Sequence, residues 1–196
     1  DKDTIIVSGE NSYDVNFVYS SGNNEKLNKT VTIKGNSYII NHFFNFEGFD
    51  FNYSGELELC WLNGLLPTEK IEAEDIQNAS FVTSFGQDYE KFYYTSSDSV
   101  ELEIVEGNAS WIGINNKYFL MSIIPDNRVK SFGHSYASLD FKSRKVTPSY
   151  NAFLTFSPSN NFSLSSKIYL GPLEYDTLKL ENVGLENAIS FGWTII

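Results

Sequence analysis

The chain is poor in cysteine, in long apolar runs and in known catalytic motifs, and each scarcity excludes a class of protein. It has one cysteine, Cys60, among 196 residues, so no internal disulfide can form. The most apolar stretch, residues 111–125, is interrupted by polar residues and falls short of the ~20 apolar residues that a membrane-spanning helix needs. There is no P-loop, dinucleotide-binding glycine fingerprint, HExxH motif or nucleophile elbow. Disulfide scaffolds and several common enzyme classes are therefore excluded.

Positive charge is also scarce. Lysine and arginine number 14 against 25 aspartate and glutamate residues, for a formal net charge of −11. Such a surface repels the phosphate backbone of nucleic acids and the anionic lipids of a cytoplasmic leaflet. We therefore expect no nucleic-acid partner and no flat adsorption to a membrane. The first residues also lack the basic start and apolar run of a signal peptide, so we expect any export signal to lie upstream.

What the chain has is aromatic and branched residues. Apolar residues make up 41% and aromatic residues 16% of the sequence, with 16 Phe, 12 Tyr and only five Pro. This composition favours strands, and the length suits one domain that removes roughly 70% of its extended surface from water. Alternation of apolar and polar residues, as in Tyr13–Ser20, marks half-buried strands. In Glu56–Leu62 it places Leu57, Leu59 and Trp61 on one face and Glu56, Glu58 and Cys60 on the other. We predict one mainly β domain over residues 1–196, with strands in 4–20, 30–34, 38–51, 56–62, 80–85, 91–95, 99–105, 132–141, 150–156 and 164–170.

The apolar stretch WIGINNKYFLMSIIP is predicted to form the central strand pair. Its halves, Trp111–Ile114 and Tyr118–Ile124, have the length and residue types of buried strands. Asn115 and Asn116 between them tolerate the positive φ of a tight turn. We assign to the structural core Trp111, Tyr118, Phe119, Ile124 and Pro125.

The C-terminal part predicts one short amphipathic helix, at about residues 172–184. Pro172 suits a first helical turn and Gly184 suits the position after the last. Glu174 and Asp176 lie near the N-terminus, where the helix dipole favours anions. We expect this helix to pack on the sheet, and one of its sides carries Leu173, Thr177, Leu180 and Val183.

Few residues are candidates for chemistry. Cys60 has no histidine in a recognisable motif to activate it, so we expect a buried structural cysteine. His42 reads as a strand histidine, whereas His134 follows a glycine and could line a cleft. An acidic run lacks the spacing of a calcium loop and reads as a solvated face: Glu69, Glu72, Glu74 and Asp75. We predict no catalytic, cofactor-binding or metal-binding residue.

Two stretches taken together resemble a known family. The first is Trp111–Pro125, with a Trp, a polar pair, Tyr-Phe and Ile-Pro; the second is KIYLGP (Lys167–Pro172), the predicted helix and SFGWTII (Ser190–Ile196). In that order and spacing they resemble the large periplasmic domain of the bacterial YidC membrane-protein insertases. Weaker similarity extends over most of the chain. Longer family members carry further strands before the point that matches Asp1.

The resemblance implies a fold and a setting. The fold is an antiparallel β-supersandwich of the galactose-mutarotase type with a C-terminal helix. The domain would lie at the periplasmic face of the bacterial inner membrane, between the first and second transmembrane segments. The implied partners are the Sec accessory subunits SecF and SecD, the insertase's own transmembrane core and client membrane proteins. The implied role is a non-catalytic scaffold without cofactors.

The resemblance also gives candidate residues for partner contact and membrane coupling, all in the C-terminal part. Trp193 would lie where the chain meets the bilayer, a depth that favours tryptophan. The full set is Leu173, Tyr175, Leu178, Leu180, Val183, Phe191 and Trp193.

Two other classes of function remain open from the residues. A carbohydrate-binding or aldose-epimerase-like β-sandwich would use Trp61, Trp111 or Trp193 as a sugar-stacking platform, although core packing is the simpler role for the first two. A secreted structural or adhesin domain is the third reading. It predicts that the chain ends near Ile196, whereas an insertase continues into a transmembrane helix.

Overall fold

The computed structural model describes residues 4–51, 55–66, 77–86, 88–93, 102–138, 148–160 and 162–189. Within these residues the chain forms two antiparallel sheets, a short α-helix and a 3-10 helix. The predicted mainly β fold with a C-terminal helix is confirmed, and the layered sheets are those of a β-sandwich. The strands are β1 (Ser12–Ser20), β2 (Lys26–Lys34), β3 (Ile39–Glu47), β4 (Leu57–Trp61), β5 (Ser80–Phe85), β6 (Asp88–Phe92), β7 (Glu103–Glu106), β8 (Ala109–Asn115), β9 (Phe119–Pro125), β10 (Ser131–Ser138), β11 (Pro148–Phe156) and β12 (Ser163–Pro172).

The large sheet has eight strands and the small sheet four. The order of the large sheet is β1-β2-β3-β12-β9-β8-β5-β6, and that of the small sheet is β4-β11-β10-β7. Strands β8 and β9 pair antiparallel, as predicted, and they are the sixth and fifth strands of the large sheet. The turn differs from the prediction, because Asn115 is the last residue of β8 and neither Asn115 nor Asn116 has a positive φ. The late strand β12 lies between β3 and β9, so it joins the N-terminal meander to the central pair.

One hydrophobic core fills the space between the two sheets. The large sheet contributes Phe81, Ile112, Ile114, Met121 and Ile123, all at most 1% exposed. Because side chains alternate along a strand, the intervening residues point to the opposite, outer face of the large sheet. The small sheet and its flanks supply Phe132, Tyr136, Tyr150, Ala152, Leu154 and Phe156.

The outer face of the large sheet carries a second core, which the C-terminal part of the chain covers. Helix α1 (Tyr175–Lys179) and a 3-10 helix (Leu185–Ala188) lie on this face. The prediction of a helix over about 172–184 is wrong in length, because Asn182 adopts a φ of 55° and Gly184 a φ of 80°, which no right-handed helix accommodates. The predicted buried face is wrong too: Leu180 is 77% exposed, and Leu178 is the buried residue of the helix.

Candidate functional site

The candidate site is the outer-face core, where the C-terminal segment, residues 173–189, packs on the large sheet. Leu178 of α1 and both Leu185 and Ala188 of the 3-10 helix are fully buried there. Leu173, Val183 and Ile189 pack around them with partial burial. The sheet side of this core is made by Ile39, Val82, Trp111, Leu120, Ile124 and Tyr169.

Trp111 links the central strand β8 to this segment by a hydrogen bond as well as by packing. Its side chain is fully buried, and its indole Nε1 donates to the carbonyl oxygen of Val183 at 3.1 Å. A buried indole N–H without a partner is costly, so this bond fixes where the chain between the two helices must pass. Trp111 therefore orients the C-terminal segment on the sheet.

A second polar bond holds the far end of the segment. Lys91 of β6 places its ammonium 2.8 Å from the carbonyl oxygen of Ala188, the last residue of the 3-10 helix. A cation at a helix C-terminus satisfies a carbonyl that has no partner within the helix. The segment is thus bonded to the sheet at Val183 and at Ala188, on strands β8 and β6.

The start of the segment is shaped by the Tyr-Leu-Gly-Pro run of β12. The Tyr169 hydroxyl donates to the Pro172 carbonyl oxygen at 2.7 Å. Burial, with Glu181 nearby, raises the pKa of the Tyr169 phenol well above its usual range, so the hydroxyl stays a donor. A Cβ on Gly171 would lie 2.7 Å from Cγ of Tyr38 and 2.8 Å from the Tyr169 hydroxyl, so only glycine fits.

The turn of the central hairpin is a buried polar network. The amide of Asn115 accepts from the Ser80 hydroxyl and donates to the carbonyl oxygen of Asn78 at 2.9 Å. Oδ1 of Asn116 accepts from the backbone amides of Tyr118 and Phe119 at 3.0 and 2.8 Å. The Asn116 side chain therefore satisfies backbone amides of the turn, whereas the Asn115 side chain ties the end of β8 to Asn78 and Ser80.

Tyr118 and Phe119 are not core residues, contrary to the prediction. They are 43% and 39% exposed, because they lie at the hairpin end of the large sheet, beyond the cover of the small sheet. Trp111 and Ile124 are buried, and Pro125 is half-buried at the other end of β9. Phe119 lines an open apolar cleft of about 370 Å³ together with Tyr38, Leu65, Leu66, Leu170 and Pro172.

Both histidines lie in strands of the sandwich, and Nε2 of His134 is 3.8 Å from a carboxylate oxygen of Glu103. His134 is 2% exposed and stacks on Phe81, with ring centroids 4.3 Å apart. Burial lowers its pKa to about 4, so the ring is neutral at pH 7. Burial and Lys29 also lower the pKa of His42, on β3. His134 is therefore part of the packing between the sheets.

Cys60 is exposed, so the prediction of a buried cysteine is wrong. It lies on the outer side of the small sheet beside Glu58, while Leu57, Leu59 and Trp61 point inward as the alternation predicted. Partial burial and Glu58 both raise the pKa of the thiol, which disfavours a nucleophilic thiolate. The indole of Trp61 donates to the Gly64 carbonyl oxygen at 2.9 Å.

The part of the chain that the structure describes contains no cluster of three or more His, Cys, Asp or Glu side chains that could hold a metal ion. No helix within the same residues has the length and apolarity needed to cross a bilayer. The acidic run Glu69–Asp75 lies outside the described residues, as do Phe191 and Trp193.

Comparison with known families decides the identity of this domain. Residues 1–196 match the family model described as the YidC periplasmic domain. The chain belongs to this family. This confirms the resemblance to the YidC periplasmic domain that the sequence motifs indicated. Those motifs are Trp111–Pro125, Lys167–Pro172 and Ser190–Ile196.

Several curated relatives of this YidC periplasmic domain are named membrane protein insertase YidC. The relative from Chlorobaculum parvum is 29% identical over 199 residues, which cover 98% of this chain and 33% of the relative. The relative from Chloroherpeton thalassium is 27% identical over 98% of the chain and 34% of its own length. That from Chlorobium limicola is 30% identical over 81% of the chain and 27% of its own length. The chain thus spans about a third of the length of the relatives it matches.

The structure divides the coupling candidates of this YidC periplasmic domain into two groups. Leu178 is buried, and Leu173 and Val183 are half-buried against the sheet. Tyr175 and Leu180 instead point outward, 37% and 77% exposed. Sequence reasoning missed Leu185 and Ala188 at this site, because a four-residue 3-10 helix is too short to produce a periodic pattern. It also missed Lys91, which lies about a hundred residues away in the sequence, on β6.

Proposed function

We propose that this chain is the non-catalytic periplasmic domain of a YidC-type inner-membrane insertase. It acts as a rigid scaffold at the periplasmic face of the membrane and couples to the transmembrane core through its C-terminal segment. The observation that carries this proposal is the outer-face core, in which Leu178, Leu185 and Ala188 are fully buried on the strands that also build the interior. A segment held in this way transmits displacement to the sheets, whereas a loosely attached tail would absorb it.

The buried side of the segment serves coupling in this proposal, and its exposed side serves contact. Leu180, 77% exposed just after α1, and Tyr175, 37% exposed with the Lys179 ammonium 5.3 Å from its ring centroid, form the outward surface of this helix. We assign this surface to the Sec accessory subunits SecF and SecD, and client membrane proteins are further partners. Phe191 and Trp193, by family resemblance, anchor the chain at the membrane interface.

The contact role is tested in a full-length insertase that carries this domain, in cells depleted of their own insertase. Leu180→Glu is expected to reduce both co-purification with SecDF and insertion of a Sec-dependent membrane protein, while the isolated chain keeps its thermal midpoint. Leu62→Glu is the matched control, because Leu62 is 63% exposed in the loop after β4 of the other sheet. Equal loss of SecDF with both variants, or with neither, would contradict the assignment of this surface.

The coupling role has a separate test. Leu178→Ala loosens the segment without changing the exposed surface of α1, so it is expected to reduce insertion while SecDF still co-purifies. Insertion at the wild-type level by a Leu178→Ala protein of normal abundance would contradict coupling through this segment.

A carbohydrate-binding role receives no support from the tryptophans that the structure describes. Trp111 is fully buried, and Trp61 is half-buried against the core between the sheets with its indole bonded to Gly64. Titration of the chain with free aldoses, followed by tryptophan fluorescence, is expected to give no saturable change. Saturable quenching at millimolar sugar would favour the carbohydrate reading over the scaffold.

A further inference from the structure

The outer edge of β1 is a long strand edge without the usual protection against pairing. The strand is nine residues long and pairs with β2 on one side in unbroken register, and no described strand lies on its other side. Its sequence, SYDVNFVYS, has no proline, no lysine and a single charged residue, Asp14. Proteins normally block such edges with prolines, lysines, bulges or very short strands, because alternate N–H and C=O groups are otherwise open to another chain.

The two faces of β1 differ in polarity. One face carries Tyr13, Val15, Phe17 and Tyr19. Across the paired strands β2 and β3, Phe17 is in line with Leu164 of β12 and Tyr13 with Ile168, and both of these lie in the core between the sheets. This is therefore the face of the large sheet that packs against the small sheet. Phe17 and Tyr19 are nevertheless 53% and 61% exposed. The opposite face is polar, with Asp14 and Asn16 accepting hydrogen bonds from Thr32 and Thr30 at 2.6 and 2.8 Å.

We propose that β1 pairs antiparallel with β1 of a second copy of this chain, about a two-fold axis at Asn16. This register pairs all nine residues of the strand. It places Tyr13 opposite Tyr19 and Val15 opposite Phe17 on the apolar face, and it places Asn16 opposite itself on the polar face. Aromatic and branched residues in direct cross-strand contact are the pairs that stabilise sheets most. The result is one continuous sheet with two-fold symmetry.

Charge favours this partner and this register. The whole chain has a net charge of −11, but residues 10–47, which make up β1 to β3, contain three lysines and four carboxylates, a net charge of −1. Repulsion between two copies is therefore weak at this edge. Within the register Asp14 meets Val18, whereas an axis at Asp14 would set two carboxylates directly opposite each other.

The symmetry also fits two copies on one membrane. For both apolar faces to lie on the same side, the two-fold axis must run perpendicular to the sheet. Both C-terminal segments, which cover the outer face, then lie on the same side of the joined sheet. The statement that both chains reach one bilayer rests on the proposed function. The strand pairing itself is independent of that function.

Sedimentation of the 196-residue chain from about 5 to 500 µM is expected to show a reversible monomer–dimer equilibrium, since edge pairing alone is weak. Val18 is 63% exposed, so charged residues there should leave the fold intact, as checked by circular dichroism. Val18→Glu sets a second carboxylate opposite Asp14 at two symmetric positions and should raise the dimer Kd roughly 2- to 30-fold. Val18→Lys places an opposite charge there and should lower it by a similar factor. A chain that stays monomeric, or variants that shift Kd in the same direction, would overturn the proposal.

Disulfide trapping tests the register itself. In a Cys60→Ser background, Asn16→Cys brings two thiols together at the axis, where the Cα atoms of opposed residues lie about 4.5–5.5 Å apart and a disulfide can form. Asn23→Cys, in the exposed turn after β1, is the matched control. Oxidation should cross-link the Asn16→Cys chain at least about ten times faster than the Asn23→Cys chain, because pairing of the strands raises the effective concentration of one thiol at the other. Equal rates, or faster cross-linking of the control, would refute pairing about Asn16. These solution measurements do not depend on insertase activity, so their failure would leave the proposed function standing.

Discussion

The indole Nε1 of Trp111 donates a hydrogen bond to the carbonyl oxygen of Val183 at 3.1 Å, and this bond joins the centre of the large sheet to the turn between the two C-terminal helices. Trp111 is fully buried and belongs to β8, which lies between β9 and β5 in the large sheet. The position of the C-terminal segment is therefore set by an interior strand of the large sheet, which is paired on both sides.

Substitution of Trp111 should separate the bond from the packing. Trp111→Ala removes the bond and leaves a cavity, so we expect a loss of about 3–5 kcal/mol in the free energy of unfolding. Trp111→Phe keeps much of the ring but leaves the Val183 carbonyl oxygen unpaired, for a smaller loss of about 1–2 kcal/mol. Urea unfolding followed by circular dichroism measures both. An unchanged midpoint for Trp111→Ala would contradict burial of this side chain.

Truncation of the two leucines Leu178 and Leu180 should change the free energy of unfolding by very different amounts. Leu178 is fully buried, so Leu178→Ala should cost about 2–5 kcal/mol of unfolding free energy. Leu180 is 77% exposed, and Leu180→Ala should change stability by no more than about 0.5 kcal/mol. Thermal and urea unfolding of the two variants, measured side by side, checks which face of α1 meets the sheet. A larger loss for Leu180→Ala would mean that the helix is rotated.

Loss of the Lys91 ammonium should loosen the end of the chain locally. Lys91→Met leaves the Ala188 carbonyl oxygen without its charged donor, a change of about 1.5–3 kcal/mol in local stability. The reporters are the backbone amides of Asn187 and Ile189, which bond within the 3-10 helix and should exchange with deuterium faster. Lys179→Met is the control, since Lys179 is exposed on α1. Faster exchange throughout the small sheet would indicate global rather than local opening.

Buried His134 should make the domain less stable in mild acid. Burial lowers the folded-state pKa to about 4 from the ordinary value of 6.5, so between these values the unfolded chain binds a proton that the folded chain does not. Stability is therefore full above about pH 6.5, falls as the pH drops toward 4, and loses up to about 3 kcal/mol from this group. His134→Gln should flatten the difference in unfolding free energy between pH 7 and pH 4.5, and His42→Gln should flatten it less. A pH dependence unchanged by His134→Gln would refute this account.

Local sequence pattern predicted the strands well and the surroundings of their residues poorly. The alternation of Leu57, Leu59 and Trp61 with Glu58 and Cys60 specified both faces of β4, because one face of a sandwich sheet is buried. The same alternation placed Cys60 on the face of Glu58, and the prediction of a buried cysteine was wrong because it followed the usual burial of free cysteine instead of this pattern.

The errors elsewhere have a common physical cause, which is that layer coverage is decided by residues far apart in sequence. Tyr118 and Phe119 look like core residues until the length of the small sheet is known. The aromatic residues of β1 are exposed for the same reason. At the C-terminal end, the left-handed backbone at Asn182 and Gly184 ended a helix that the apolar spacing had favoured, and it brought Leu185 onto the sheet instead.

Neighbouring residues of the central hairpin belong to different cores: Trp111 packs under the C-terminal segment, and Ile112 packs between the sheets. A strand cannot shift on one side without shifting on the other. A force applied to the C-terminal segment would consequently shear both layers of the sandwich. The domain should resist this force as one stiff body, without a hinge between the segment and the large sheet.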